Sequence, residues 1–411
     1  MPQAAAPVAA QAPAHAPSGG RKSNNQRRGR NNRRGRGGAG ADGKGGGNKT
    51  ELALDGGGAQ VVYADNSALL TAFRDGLAGA PQSLDDLVGH VVEFSRDQLG
   101  SRFIQQRLPT ASAAQRDLVY AEVVQDAVAL MTDVFGNYVC QLLLEHGREE
   151  QRHELTRRIL GQALTLSLQM YGCRVVQKAL EVVRGPLQAQ LVGELVPHVV
   201  ACVTDQNANH VVQKCIEWTP PETVQAVVSA LRGRVFELAT HPYGCRVVQR
   251  VLEHCSSAMT QPVMAELMTR CTELVDNQYG NYVIQHILQH GSPADRNTIA
   301  AAVGGANLTR QATHKYASNV VEKCILHAPP AARRRLIETM MDTSGGTGGR
   351  SAAIDVLICD QFGNYVVQKC LDKADPDQRM PLADLVKRSL AARKSPYSRH
   401  IQTRLNSILG Q

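Results

Sequence analysis

Eight times along the chain a Ser, Asn or Cys is followed four residues later by Gln or Glu, usually with a flat side chain beside the first. With the first position called i, the sets at i, i+1 and i+4 are Ser101/Arg102/Gln105, Asn137/Tyr138/Gln141, Cys173/Arg174/Gln177 and Asn209/His210/Gln213. They continue as Cys245/Arg246/Gln249, Asn281/Tyr282/Gln285, Ser318/Asn319/Glu322 and Asn364/Tyr365/Gln368. On a helix, positions i and i+4 are neighbours on one face. Two short polar groups there can meet the hydrogen-bonding edge of an unpaired base, while a ring or guanidinium alongside stacks on its face. Such stacking is worth roughly 1–3 kcal/mol per base. Taken singly, each set has a blander explanation: an Asn or Ser after Gly can be a helix N-cap, and Gln can lie on a solvated face. Recurrence in eight places, with i+1 flat in all but Asn319, favours base contact.

The elements that carry these sets form a repeat. Its core returns as GSRFIQQ, GNYVCQL, GCRVVQK, ANHVVQK, GCRVVQR, GNYVIQH, ASNVVEK and GNYVVQK. Position i advances by 36 residues in each of the first five steps, then by 37, then by 46, where the Gly/Ser-rich insertion Thr343–Ser351 lengthens the chain. A period of this size signals a solenoid, in which no unit buries its apolar face alone. On a helix, i, i+1, i+4 and i+5 centre near roughly 70°, and i+2, i+3, i+6 and i+7 near roughly 270°. The second set is apolar, as in Val175, Val176, Ala179 and Leu180, or Val211, Val212, Cys215 and Ile216, and is expected to be core. Amphipathic stretches such as Leu118–Met131 and Leu191–Val203 lie upstream, so each unit holds two or more helices. Asn66–Gly76, with Ser67 as its N-cap, and Leu382–Leu409 are expected to cap the open ends. Asn207 replaces the Phe or Tyr that most repeats carry two residues before i, which predicts looser packing there. Lys178, Lys214, Arg250, Lys323 and Lys369 stand at i+5, on the edge of the polar face; phosphate contact and simple solvation are both open.

Composition narrows the function classes. Of the 411 residues 43% are hydrophobic and only 4% aromatic, enough for a long core but poor for one large globule. The net charge of +8 sits in the tail: residues 1–50 carry ten Lys/Arg and one acid, leaving 35 basic against 36 acidic residues in the rest. Residues 1–60, Ala/Pro-rich and then Arg/Gly/Asn-rich, are expected to be disordered, since they cannot bury enough apolar surface to offset their ordering entropy. Residues 61–411 form the repeat domain. The ten cysteines include no CxxC pair and no neighbouring Cys/His set, so no metal, cofactor or disulfide is expected. No segment is expected to span a membrane, and the N-terminus lacks the charged and apolar regions of a secretory signal. The stretch His153–Arg157 is not a zinc-binding HExxH, and no phosphate-cradling Gly loop follows a strand, so no catalysis is expected.

These motifs resemble the Pumilio family (PUF repeats) over roughly Val61–Leu409. The family is a standard example of one-base-per-repeat RNA reading. The resemblance implies an all-α fold, a right-handed superhelix of eight three-helix repeats shaped as a crescent, with single-stranded RNA antiparallel on its concave face. It also implies that Asn with Gln selects uracil, Cys or Ser with Gln adenine, and Ser with Glu guanine. Carried onto these residues, the implied target is 5′-UGUAUAUA-3′, read from Asn364/Gln368 back to Ser101/Gln105, with Ser318/Glu322 on the G. The motif Tyr397–His400 suggests a ninth unit, but Thr403 aligns with Gln, so it is taken as a cap. A monomer that binds mRNA 3′ untranslated regions, with repressor or deadenylation machinery on its convex face, is implied. A cytoplasmic location is expected, with a nuclear or nucleolar fraction directed by the basic tail. That tail can also serve as a weak RNA contact or a linker. The rival readings are a helical-repeat protein scaffold, whose concave face would lack recurring sets, and a nucleolar relative in rRNA processing, whose sets would be degenerate.

Overall fold

The structure, a computed structural model, describes residues 66–342 and 353–409. The tail 1–60 and the insertion Thr343–Ser351 lie outside the described residues. The chain divides into two units, Met1–Val62 and Tyr63–Gln411, and every described residue belongs to the second. Among the described residues all regular elements are helical.

Each repeat is a short first helix, an inner helix and an outer helix, as in Ala163–Leu168, Gly172–Val182 and Pro186–Leu195. The inner helices are Gln98–Arg107, Gly136–His146, Gly172–Val182, Ala208–Trp218, Gly244–His254, Gly280–His290, Ala317–His327 and Gly363–Lys373. They pack directly against one another down the array, and more extensively than successive outer helices do. The inner helices thus form one continuous row and the outer helices a second, less closely packed one.

The apolar stripe is buried as its spacing requires. Val139, Cys140, Leu143 and Leu144 are inaccessible, as are their counterparts Val283, Ile284, Ile287 and Leu288 four repeats on. Each such side chain contributes roughly 1.5–3 kcal/mol on burial. Four cysteines, Cys140, Cys215, Cys324 and Cys370, serve as small apolar members of this stripe, and burial pushes the thiols of Cys140, Cys215 and Cys370 up to about 12.

The residue just before i lets the inner helix close on the first helix. A Cβ placed on Gly172 would stand 2.6 Å from the Leu166 carbonyl oxygen, and one on Gly244 2.4 Å from that of Leu238. The fourth and seventh repeats carry buried Ala208 and Ala317 at this position, so a single methyl is accommodated there. Outer helices tie back to the first helix of their own repeat: the Glu194 carboxylate accepts from the backbone of Gly161 (2.6 Å) and Ala163 (3.2 Å). Gly161, at φ +79°, makes that turn. Glu122 and Glu266 repeat the arrangement on Gly89 and Gly233.

At the N-terminal end Ala68–Asp75 is capped by Ser67, whose hydroxyl accepts from the Leu70 amide at 3.1 Å. Its Phe73 packs on Phe94 and Phe103 at centroid distances of 5.5 and 5.2 Å. At the other end the expected cap Leu382–Leu409 is split. Leu382–Ala392 belongs to the outer helix of the eighth repeat, Pro376–Ala392, and only Ser398–Leu409 covers the last inner helix.

A second correction concerns hydropathy. Pro186–Thr204, 19 residues of mean hydropathy 1.2, is long and apolar enough to cross a membrane, contrary to expectation. It is broken by a turn at Val196–His198 and belongs to two repeats, with Leu191, Val192, Leu195, Val199, Cys202 and Val203 in the core.

Two glycine substitutions test this packing in opposite directions. Gly172→Val, which overpacks the contact with Leu166, is expected to lower stability by about 1–3 kcal/mol in urea unfolding. Gly193→Ala, in an outer helix with open space around its Cβ position, is expected to raise it by about 0.5–1 kcal/mol.

Candidate nucleic-acid interface

The eight sets recur with one graded pattern of exposure. Position i is buried in every repeat: Ser101, Asn137, Cys173, Asn209, Cys245, Asn281, Ser318 and Asn364. Position i+4 is half-buried in every repeat: Gln105, Gln141, Gln177, Gln213, Gln249, Gln285, Glu322 and Gln368. Position i+1 is exposed in every repeat: Arg102, Tyr138, Arg174, His210, Arg246, Tyr282, Asn319 and Tyr365. All 24 side chains therefore lie on the inner row, on the helix face opposite the core stripe.

The buried asparagines are held by the turn before them. Asn137 Nδ2 donates to the Asp133 carbonyl (2.8 Å) and the Val134 carbonyl (3.0 Å). Asn209, Asn281 and Asn364 make the same two bonds, to Asp205 and Gln206, Asn277 and Gln278, and Asp360 and Gln361. Both amide hydrogens are thus committed, which fixes Oδ1 as the free end, because an oxygen in the other place would face two carbonyls. The Gln at i+4 then donates its Nε2 to that Oδ1, at 2.9, 3.0, 2.8 and 3.1 Å in the four repeats. In the cysteine repeats the Gln turns to the backbone instead: Gln177 Nε2 donates to the Cys173 carbonyl and Gln249 Nε2 to that of Cys245, both at 3.0 Å. The thiols of Cys173 and Cys245 are pushed up by burial and remain neutral.

The N-cap explanation of position i fails on these bonds. The cap is the residue four before it. Asp133 Oδ1 accepts from the amides of Phe135 and Gly136, both at 2.8 Å, and Asp97, Asp205, Asn277 and Asp360 do the same in their repeats. In the fifth and seventh repeats His241 and His314 take the place, each accepting through Nδ1. Sequence reasoning missed these caps, although an Asp, Asn or His stands four residues before i in seven of the eight repeats, with Gln169 in the third. Asn207 also departs from expectation: its Nδ2 donates to the Leu168 carbonyl in the preceding repeat at 2.8 Å, so it links repeats rather than loosening them.

Charge on this row is unevenly placed. The Glu322 carboxyl is pushed up by burial, with Lys369 and Lys323 acting against that shift. His210 is held below the ordinary imidazole value by burial and by the guanidinium groups of Arg246 and Arg174 on the neighbouring repeats. It therefore stands in the i+1 row as a neutral ring between two cations. At i+5, Lys178, Lys214 and Arg250 are not simply solvated: each is ion-paired with glutamates of its own and the preceding repeat. Among the described residues no His/Cys/Asp/Glu group has a metal-binding arrangement.

Comparison with known proteins gives a consistent result. A family model described as the Pumilio-family RNA binding repeat matches residues 90–124, 126–160, 162–196, 198–232, 234–268, 271–303, 310–341 and 354–386, each holding one of the sets. The solved structure of PUF-8 in complex with PBE-RNA aligns with a TM-score of 0.77 at 39% identity, over 83% of this chain and 99% of that one. The Puf3 RNA binding domain bound to a Cox17 3′ UTR recognition sequence aligns with a TM-score of 0.75 at 35% identity, over 82% and 100%. Pumilio homolog 1 of Xenopus laevis is 48% identical over 85 residues, 21% of this chain and 7% of that protein. The mRNA-binding protein puf3 of Schizosaccharomyces pombe is 51% identical over 63 residues, 15% of this chain and 9% of that protein. The matched segments are thus a small part of those curated relatives' own lengths.

The cap predicts its own cost. Asp360→Ala removes the acceptor of two backbone amides at the start of the last inner helix, and thermal unfolding is expected to show a loss of about 1 kcal/mol.

Proposed function

The chain belongs to the Pumilio family of RNA-binding repeat proteins, and from that premise we propose that its inner row reads single-stranded RNA one base per repeat, with the target 5′-UGUAUAUA-3′. The observation that carries this reading is the same buried, half-buried and exposed triplet in eight stacked helices. A protein-docking groove has no need of that recurrence.

The hydrogen-bond inventory of each set matches the base assigned to it. In the Asn137, Asn209, Asn281 and Asn364 repeats the amide hydrogens are committed to the backbone, so Asn offers an acceptor, which suits the N3–H of uracil. Gln213, Gln285 and Gln368 keep a donor for a uracil carbonyl, whereas Gln141, whose Nε2 also donates to the Asn137 carbonyl at 3.3 Å, exchanges that bond for the base. In the Ser101, Cys173 and Cys245 repeats no second amide competes, and Gln105, Gln177 and Gln249 can give one donor and one acceptor to adenine N1 and N6. Glu322 offers two acceptors to the N1–H and N2–H of guanine, where Gln would waste its NH₂. Burial makes that carboxylate costly to leave unpaired, which sharpens the choice. The i+1 side chains Arg102, Tyr138, Arg174, His210, Arg246, Tyr282 and Tyr365 stack between successive bases; Asn319 offers the smallest platform.

The strand runs antiparallel to the chain, so the eighth repeat takes the 5′ base. The Puf3 domain is bound to a 3′ UTR sequence and the fission-yeast relative is an mRNA-binding protein, which supports mRNA 3′ untranslated regions as the targets. We assign the protein to post-transcriptional control of translation or stability, acting as a cytoplasmic monomer without catalysis, with repressor or deadenylation machinery on the outer-helix face.

Binding of the full chain to a randomised single-stranded RNA pool tests the reading. Enrichment of UGUA followed by an A/U-rich 3′ half is expected; a selected motif without the G, or none, would refute it. The code itself is tested by Ser318→Asn combined with Glu322→Gln. The preference at the second base is expected to move from G to U, with discrimination of about 1–3 kcal/mol at that base, by analogy with other bidentate contacts.

A further inference from the structure

Five cations share position i+5, and the structure divides them into two classes. Lys178 Nζ pairs with Glu145 at 3.3 Å and Glu181 at 3.1 Å, and Lys214 Nζ with Glu181 and Glu217, both at 3.0 Å. Arg250 pairs with Glu217 at 3.3 Å and also with Glu253. The result is a continuous ladder, Glu145–Lys178–Glu181–Lys214–Glu217–Arg250–Glu253, running from the second repeat to the fifth. Its rule is simple: the cation at i+5 takes the acid at i+8 of its own repeat and of the repeat before.

That rule fails further along the chain. Position i+8 is Gln289 in the sixth repeat and Leu326 in the seventh, so Lys323 has no acid on either side. In the eighth repeat Asp372 is present but is paired with Arg404 of the terminal helix at 3.7 Å. Among the described residues, no carboxylate lies within ion-pair distance of Lys323 or Lys369. Both stand beside Glu322, one on its own helix and one on the next, and both act on its charge.

Resting on the RNA reading above, we propose that Lys323 and Lys369 are phosphate contacts that clamp the 5′ end of the strand around its guanine, while Lys178, Lys214 and Arg250 contribute no net charge to RNA. A phosphate approaching the central repeats meets three cations already matched by four carboxylates. Engaging a lysine there would break existing ion pairs and bring the strand towards glutamate. At the seventh and eighth repeats the ammonium groups are uncommitted, so a phosphate releases its counterions without such an exchange. The clamp falls where guanine is read. Positioning contacts there hold the base edge against a half-buried Glu322 whose burial demands good geometry.

The test is the salt dependence of affinity of the full chain for the fluorescently labelled oligonucleotide 5′-UGUAUAUA-3′. The double variant Lys323→Gln/Lys369→Gln is expected to bind more weakly and to lose about 1.4 from the slope of log K against log salt, at about 0.7 per phosphate on a single strand. Its deficit relative to the unmodified protein is then expected to shrink about sevenfold between 50 and 200 mM salt. Lys178→Gln/Lys214→Gln combined with Glu145→Gln/Glu181→Gln, which removes two cations and two carboxylates of the ladder and leaves its net charge unchanged, is expected to keep the original slope. An unchanged slope in the first variant, or an equal or larger slope loss in the second, would overturn the proposal. Failure of the unmodified protein to bind the oligonucleotide at low salt would instead defeat the RNA reading on which the proposal stands.

Discussion

The whole arrangement depends on the burial of one stripe of the inner helix. A helix has a single circumference, so fixing i+2, i+3, i+6 and i+7 in the core determines which way i, i+1 and i+4 point. In the third repeat Val175, Val176, Ala179 and Leu180 are inaccessible, and Gly172 lies against the Leu166 carbonyl, which removes the remaining freedom of rotation. At roughly 1.5–3 kcal/mol for each large apolar side chain, this stripe outweighs any single cap or ion pair nearby. Because each repeat buries its stripe partly against its neighbours, the orientation of one displayed face is tied to that of the next. Register along the row is a packing result.

The polar side chains on the displayed face add a second layer of constraint. Asn137 is fully buried, and a buried amide without partners would cost about 1–3 kcal/mol. The carbonyls of Asp133 and Val134 meet its NH₂, and those carbonyls belong to the very turn that Asp133 caps through its side chain. The backbone that starts the helix therefore also orients the group at i, and through Oδ1 the glutamine at i+4. Side chains ordered in this way lose little further rotamer freedom when a ligand arrives. A loop-borne set of the same residues would not have that advantage.

Much of this was legible in the sequence, for a physical reason. The period, the apolar stripe and the recurring sets are properties of residue type at fixed spacing, and solenoids convert spacing directly into position. Interactions that depend on which partner a side chain chooses were less visible. Asp133 and its equivalents recur four residues before i, but without a backbone nothing distinguishes a cap from a surface acid. Asn207 looked like a defect because an aromatic was missing, whereas its amide reaches the Leu168 carbonyl of the adjacent repeat. The cap boundary near Leu382 was misplaced because an outer helix and a terminal helix are both amphipathic. Pro186–Thr204 escaped notice as an apolar run because Gln, Glu and His interrupt it, and its helix breaks at Val196–His198.

The ion-pair ladder shows how charge can be placed on such a row without blurring its polar code. Exposed or half-exposed pairs of this kind are worth only about 0–1 kcal/mol each, so the ladder is a minor source of stability. Its larger effect is on the local field. Glu145, Glu181, Glu217 and Glu253 cancel the cations that adjoin Gln177, Gln213 and Gln249, leaving neutral amides as the dominant polar groups in those repeats. Where Gln289 and Leu326 interrupt the acids, the single carboxylate of the row, Glu322, is flanked by two lysines. A buried anion is costly to desolvate, and nearby cations lower that cost. The gap in the ladder and the acid at i+4 are therefore linked: the acids missing at Gln289 and Leu326, together with the diversion of Asp372 to Arg404, leave Lys323 and Lys369 to offset the charge of a carboxylate on the displayed face.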